Sequence, residues 1–226
     1  LGEDVYVSGK QDAYNQSIKI NTVGPCTVRR ITRMAISGTT ECARMEERIG
    51  KKKAIQLFDS GLLDTFEVGT FQGLSDIHHH LFCEIYDVAG TLRTVNISKG
   101  SFRFAPVLYL EAALVTIENM PQSTFDEIIE KYVEMNVAHP FREGNGRSMR
   151  IWLDLMLRRE TGHVIDWSLV DREDYLLAME RSPIKDVEIK ALLRSALTDR
   201  ITDRRIFMKG IDASYLYEGY NAFKTE

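Results

Sequence analysis

The stretch His139-Pro140-Phe141-Arg142-Glu143-Gly144-Asn145-Gly146-Arg147-Ser148-Met149-Arg150 decides how this chain is read. A histidine closes one apolar-periodic segment, and Pro140 forces an extended exit from it. Gly144-Asn145-Gly146 then turns into a second segment, where Met149, Trp152, Leu153 and Met156 recur at helical spacing until Gly162. Glycines let backbone approach a ligand closely. The first-turn amides of a helix starting here point outward with the positive end of its dipole, which makes an anion cradle. Arg147 and Arg150, three apart, share one face of that helix and both reach a polyphosphate at its N-terminus. Glu143 is a hard oxygen ligand just before the cradle, where a phosphate-bound Mg²⁺ would sit. His139 is the obvious general base nearby. The set predicts transfer of a phosphorus-containing group onto a hydroxyl.

Each piece alone has an ordinary explanation: a structural histidine at a helix end, a plain turn, two solvated arginines. About eight specified positions, each roughly one in twenty by chance, do not coincide by accident in one short segment.

Outward from this segment the chain reads as helices. Thr124-Phe125-Asp126-Glu127 is a capping box, opening a helix through Ile128, Tyr132 and Met135 to Ala138. Before it, Glu41 to Ser60 carries Ile49, Ile55, Leu57 and Phe58 and stops at Gly61. Thr70 precedes Leu74, Ile77, Leu81 and Ile85, and Pro106 opens a helix through Leu110, Leu114 and Ile117. Asp171 to Arg181, Val187 to Leu197 and Asp203 to about Tyr220 also have helical character. Strand character is confined to Leu92–Phe104, where Val95, Ile97, Phe102 and Phe104 flank Ser98-Lys99-Gly100-Ser101 as a hairpin would. The expected fold is all-α with one β-hairpin. Residues 1–40 are expected as an accessory segment, 41–200 as the core, and 201–226 as a C-terminal helix and tail.

Composition narrows the classes without choosing a function. The 226 residues carry 29 basic and 33 acidic side chains, a formal charge of −4, which argues against a dedicated nucleic-acid partner. No run approaches the roughly 18–20 apolar residues of a membrane span. Cys26, Cys42 and Cys83 form no metal-like spacing, and the chain opens without a basic-then-apolar leader. The expected location is the cytoplasm, with no membrane partner.

The central segment is similar to the Fic-domain signature His-x-Phe-x-Asp/Glu-Gly-Asn-Gly-Arg-x-x-Arg, and every fixed position is met. The resemblance runs from about Lys51 to Tyr220 and is closest to compact bacterial members with a C-terminal inhibitory helix. It implies a helical core with a β-hairpin flap, and transfer of AMP from ATP to a Ser, Thr or Tyr hydroxyl of a protein target or of the chain itself. By that resemblance His139 deprotonates the target hydroxyl and Phe141 anchors the loop. Glu143 binds Mg²⁺, and Gly144, Asn145, Gly146 and Arg147 hold the phosphates. Arg150 meets the γ-phosphate. Asn96, Ile97, Ser98, Lys99, Gly100 and Phe102 belong to the flap, which lines up the target segment by strand addition. Doc-type relatives that phosphorylate carry lysine at the second glycine; Gly146 favours AMP transfer. Related compact proteins often associate through Fic-domain surfaces, so a homo-oligomer is open.

A second segment, Ser214-Tyr215-Leu216-Tyr217-Glu218-Gly219, resembles the family's inhibitory signature Ser/Thr-x-x-x-Glu-Gly/Asn. Ser214 and Glu218 are four apart and share a helix face. The resemblance implies that Glu218 pairs with Arg150 and occupies the place of the γ-phosphate. Ser37 and Glu41 have the same spacing but lead into Cys42, which makes them the runner-up brake. Tyr215 and Tyr217 flank the brake and are candidates for self-modification. His78-His79-His80 is expected to be structural or solvated rather than metal-binding, because adjacent helical residues point in different directions. Arg29, Arg30 and Arg33 read as a solvated patch. The rival activities are removal of AMP by the same site and a non-catalytic ATP- and protein-binding module.

Overall fold

A computed structural model describes residues 39–99 and 102–217, and all structural statements below concern these residues. The expectations placed on residues 1–38, Ser37, Gly100 and Glu218 lie outside them, as do those on the side chains of Glu41 and Tyr217.

Eight α-helices are described: α1 (Thr39–Asp59), α2 (Phe71–Phe82), α3 (Val107–Glu118), α4 (Phe125–Ala138), α5 (Asn145–Thr161), α6 (Arg172–Arg181), α7 (Val187–Ser195) and α8 (Arg204–Tyr217). Their ends follow local chemistry. Gly61, at φ 71°, follows α1 and opens a 3₁₀ turn, Leu62–Thr65. The Thr70 hydroxyl accepts from Gly73 N at 3.0 Å and caps α2. The capping box of α4 forms as read: Thr124 N donates to Glu127 Oε2 at 2.9 Å, and Glu127 N to the Thr124 hydroxyl at 3.3 Å.

The core is organised around α5, which is buried on nearly every side from Asn145 to Leu157. Trp152, Leu153 and Met156 share one buried core with Ile128, Tyr132 and Met135 of α4, Leu74 and Ile77 of α2, and Ala54 and Leu57 of α1. Each fully buried Leu, Ile or Met side chain contributes about 2 kcal/mol by leaving water. The α8 helix closes this core with Ile211, Ala213 and Tyr215. Buried Lys51 of α1 pairs with Glu47 at 2.8 Å and with Asp212 of α8 at 2.7 Å. Gly50 permits the close approach of α1 and α8: a Cβ there would meet the Tyr215 hydroxyl at 2.3 Å.

The expected hairpin is present and very short: β1 (Ser98–Lys99) pairs antiparallel with β2 (Phe102–Arg103), with Ser98 opposite Arg103. A second two-stranded ladder, β3 (Val164–Ile165) with β4 (Leu197–Thr198), was not expected. Leu197 belongs to it rather than to the helix from Val187. The Ala196 carbonyl accepts from Asp166 N at 2.8 Å, and Leu197 pairs with Ile165, so a contact distant in sequence ends α7 early. The α2 helix likewise stops at Phe82, and Ile85 is buried in the turns that follow.

Candidate active site

The motif loop connects α4 to α5, and its shape comes from side chains spent on backbone. Asn145 is buried; its Oδ1 accepts from Phe141 N at 2.9 Å and its Nδ2 donates to Phe141 O at 2.8 Å. The Asn145 side chain, expected at the phosphates, is thus committed to the loop itself. Phe141 is buried and stacks on the His78 ring at 3.9 Å, which is the expected anchoring role. Gly144 has φ 78°, and a Cβ on it would meet the Phe82 ring at 2.5 Å, so both backbone and space require glycine.

His139 is the one non-glycine residue with positive φ, 48°, among the described residues. A left-handed backbone costs a residue with a Cβ on the order of 1–2 kcal/mol, and such strain concentrates at working sites. Several contacts hold it there. Its carbonyl accepts from Arg93 Nε at 2.8 Å, its ring stacks on Phe104 at 3.7 Å, and its Nδ1 lies 3.3 Å from Asn136 O. A carbonyl partner requires Nδ1 to carry the proton, leaving the Nε2 lone pair as acceptor. Burial, then the nearby Lys99 and Arg93 charges, push the His139 pKa down to about 3.

His78 pins the other end of the loop: its Nε2 lies 2.8 Å from Glu143 O, and its Nδ1 accepts from Gly90 N at 2.8 Å. The two partners fix the neutral Nε2–H tautomer, and burial pushes the pKa down to about 4. The expectation of a structural role for this histidine holds, and the structure adds that the role is exercised on the motif.

Arg147 is buried beneath the Phe82 and Tyr215 rings, 4.8 and 4.7 Å from their centroids. It pairs with Glu46 of α1 and, at 3.3 Å, with Glu143. Arg150 lies over Trp167 and Tyr175 at 4.5 and 5.1 Å, donates to Gly146 O at 3.4 Å, and donates to the Ser214 hydroxyl of α8. The Glu143 side chain keeps 33% of its surface exposed and accepts from Gly144 N at 3.1 Å. Tyr215 is fully buried, its hydroxyl donating to Glu46 O at 3.5 Å; modification there requires α8 to leave its seat.

On the flap, the Asn96 Oδ1 accepts from Val107 N at 2.9 Å and ties the hairpin to the start of α3. Ile97 O accepts from Phe104 N at 3.4 Å, Lys99 faces Phe102 across the ladder, and Ser98 is exposed. The hairpin thus lies beside His139 through the Phe104 stack.

The sequence reading missed Glu46, Arg93 and the specific task of His78. Glu46 had a signal: with Gly50, Ala54 and Leu57 it recurs at helical spacing on the buried face of α1. Nothing local marks Arg93.

Residues 70–157 match the Fic/DOC family. The chain is 30% identical over 162 residues to the probable protein adenylyltransferase y4lH of Sinorhizobium fredii, covering 66% of this chain and 81% of that protein. It is 31% identical over 183 residues to protein adenylyltransferase VbhT of Bartonella schoenbuchensis, covering 75% of this chain and 38% of VbhT, so it spans well under half of that relative. Its fold is similar to that of BepC from Bartonella tribocorum, solved with bound AMPPNP, at TM-score 0.60 and 17% identity, covering 72% of this chain and 89% of that one. This chain belongs to the Fic/DOC family. No described helix is long and apolar enough to cross a membrane.

Proposed function

We propose that the chain transfers AMP from ATP to a Ser, Thr or Tyr hydroxyl of a protein, and that its own C-terminal helix restrains the reaction. The carrying observation is the His139–Gly144 loop. It fixes a neutral imidazole with a free Nε2 lone pair at one end and the N-terminus of α5 at the other. The first-turn amides of α5 cradle the triphosphate, with Arg147 and Arg150 supplying positive charge along the same helix. The target hydroxyl attacks the α-phosphorus, its proton passes to His139 Nε2, and the bond to the β-phosphate breaks to release pyrophosphate. A bound triphosphate brings negative charge beside His139 and raises its pKa from the low value of the bare site.

The donor set fits a phosphate-bound Mg²⁺. Glu143 is a partly exposed carboxylate, and Mg²⁺ takes one or two carboxylates together with substrate phosphates and water. When bound, the ion neutralises phosphate charge.

The flap supplies the strand edge for the target, with Asn96 and Ile97 at its base and Ser98, Lys99 and Phe102 along it. Restraint by α8 is supported by the Ser214 hydroxyl at Arg150. In the sequence Glu218 follows Ser214 by four residues, the spacing of a shared helix face. This favours Glu218 over Glu41 as the brake. Mass spectrometry of the protein and a lysate after incubation with ATP tests the chemistry: the increment of one AMP on a hydroxyl side chain supports it, and the increment of a phosphate contradicts it.

A further inference from the structure

Arg93 precedes the flap and is buried, yet among the described residues it makes no ion pair. Its guanidinium is spent on carbonyls instead. Nε donates to His139 O at 2.8 Å, Nη1 to Val95 O at 2.8 Å, and Nη2 to Ala105 O at 2.5 Å and Ala138 O at 3.0 Å. Its own N–H donates to Pro140 O at 2.9 Å. These acceptors belong to three separate pieces of chain. Val95 and Ala105 are the ascending and descending stems of the hairpin, and Ala138 and His139 are the end of α4. A cation is favoured there because the carbonyl end of α4 carries the negative pole of its dipole. The planar fork reaches several acceptors at fixed angles, which an ammonium does not.

We propose that Arg93 is a positioning residue: it locks the two flap stems to the left-handed backbone of His139, so that target edge and general base keep one fixed relation. Two further contacts join the same parts. The Ala105 N–H donates to Val137 O at 2.9 Å, and the Phe104 ring lies on the His139 imidazole. Removing the fork leaves the strained residue to those contacts and to the main-chain bond from Arg93 N–H to Pro140 O. The imidazole then wanders relative to the hydroxyl that the flap presents. Binding of ATP, which relies on α5 and its arginines, is untouched.

This inference rests on His139 being the base for AMP transfer, so its test needs a readout independent of that chemistry. Arg93→Lys keeps the charge and loses the fork; Arg93→Gln loses the charge and keeps two donors. For each variant, transfer of label from ATP, the nucleotide dissociation constant and amide hydrogen exchange are measured against wild type. The expected result for Arg93→Lys is a turnover on the order of a hundredfold slower, the cost of a misplaced catalytic group. Its nucleotide dissociation constant stays within about twofold, by the same argument. Exchange quickens at Phe104 and Ala105 while the α5 amides stay protected. Turnover near the wild-type value, or unchanged exchange at the flap stems, overturns the proposal. So does loss of nucleotide binding and α5 protection in step with turnover, which marks a merely structural residue. If wild type transfers no label, the AMP-transfer reading fails, and the exchange comparison still judges the clamp.

Discussion

The Arg150 guanidinium of α5 donates to the Ser214 hydroxyl of α8, and Ser214 in turn donates to Gly210 O at 2.9 Å. The residue expected to meet the last phosphate of ATP is thus already engaged by the C-terminal helix. Releasing the helix end should free it. Glu218→Gly is expected to raise AMP transfer about tenfold or more, the scale of one charge-assisted contact. Label incorporation by equal amounts of the two proteins measures this, and equal rates count against the brake.

His139→Ala is expected to reduce transfer by a factor of about 10²–10⁴, the usual worth of a positioned base. Nucleotide affinity should stay near wild type, because the proposed phosphate contacts lie on the α5 amides, Arg147 and Arg150 rather than on the imidazole. Single-turnover transfer and equilibrium nucleotide binding, measured together, separate the two effects.

The Glu46–Arg147 pair is buried on both sides. Glu46→Ala removes the buried partner and leaves Arg147 its longer pair with the partly exposed Glu143, so it should cost about 3 kcal/mol of stability, the lower end for a broken buried pair. A triphosphate offers Arg147 a replacement counter-charge. Saturating ATP is therefore expected to raise the melting temperature of Glu46→Ala more than that of wild type.

His78 is held neutral by Glu143 O and Gly90 N, with its pKa pushed down to about 4 by burial. The unfolded chain protonates it near 6.5 and the folded chain does not, so the unfolded state gains protons as pH falls through that window. Stability is complete above about pH 6.5 and drains toward pH 4, by on the order of 3 kcal/mol. Asp154, pushed up to about 7 by burial, acts in the opposite sense. Comparing urea midpoints of wild type and His78→Phe from pH 7 to pH 4.5 isolates the histidine. The variant should show the flatter profile.

What the sequence carried and what it did not divide along a physical line. Local signals were legible: the Thr124 capping box, the Gly61 and Gly162 stops, the α5 periodicity and the turn at Gly144 all act within a few residues. Contacts made across the fold were not. The β3–β4 ladder joins Ile165 to Leu197, and the Arg93 fork joins the flap to α4; neither has a nearby partner to announce it. The motif itself was legible as chemistry, while the division of labour inside it was not. Asn145 shapes the loop with its side chain, and His78, read as bland, braces Glu143.

The central claim is that the group moved is AMP and that His139 moves it. The direct measurement gives Glu218→Gly, and the double variant Glu218→Gly with His139→Ala, ATP labelled at either the α- or the γ-phosphate, and follows label into protein. The account predicts label from the α-position alone and none with the double variant. Label from the γ-position, or label that survives loss of His139, would contradict it.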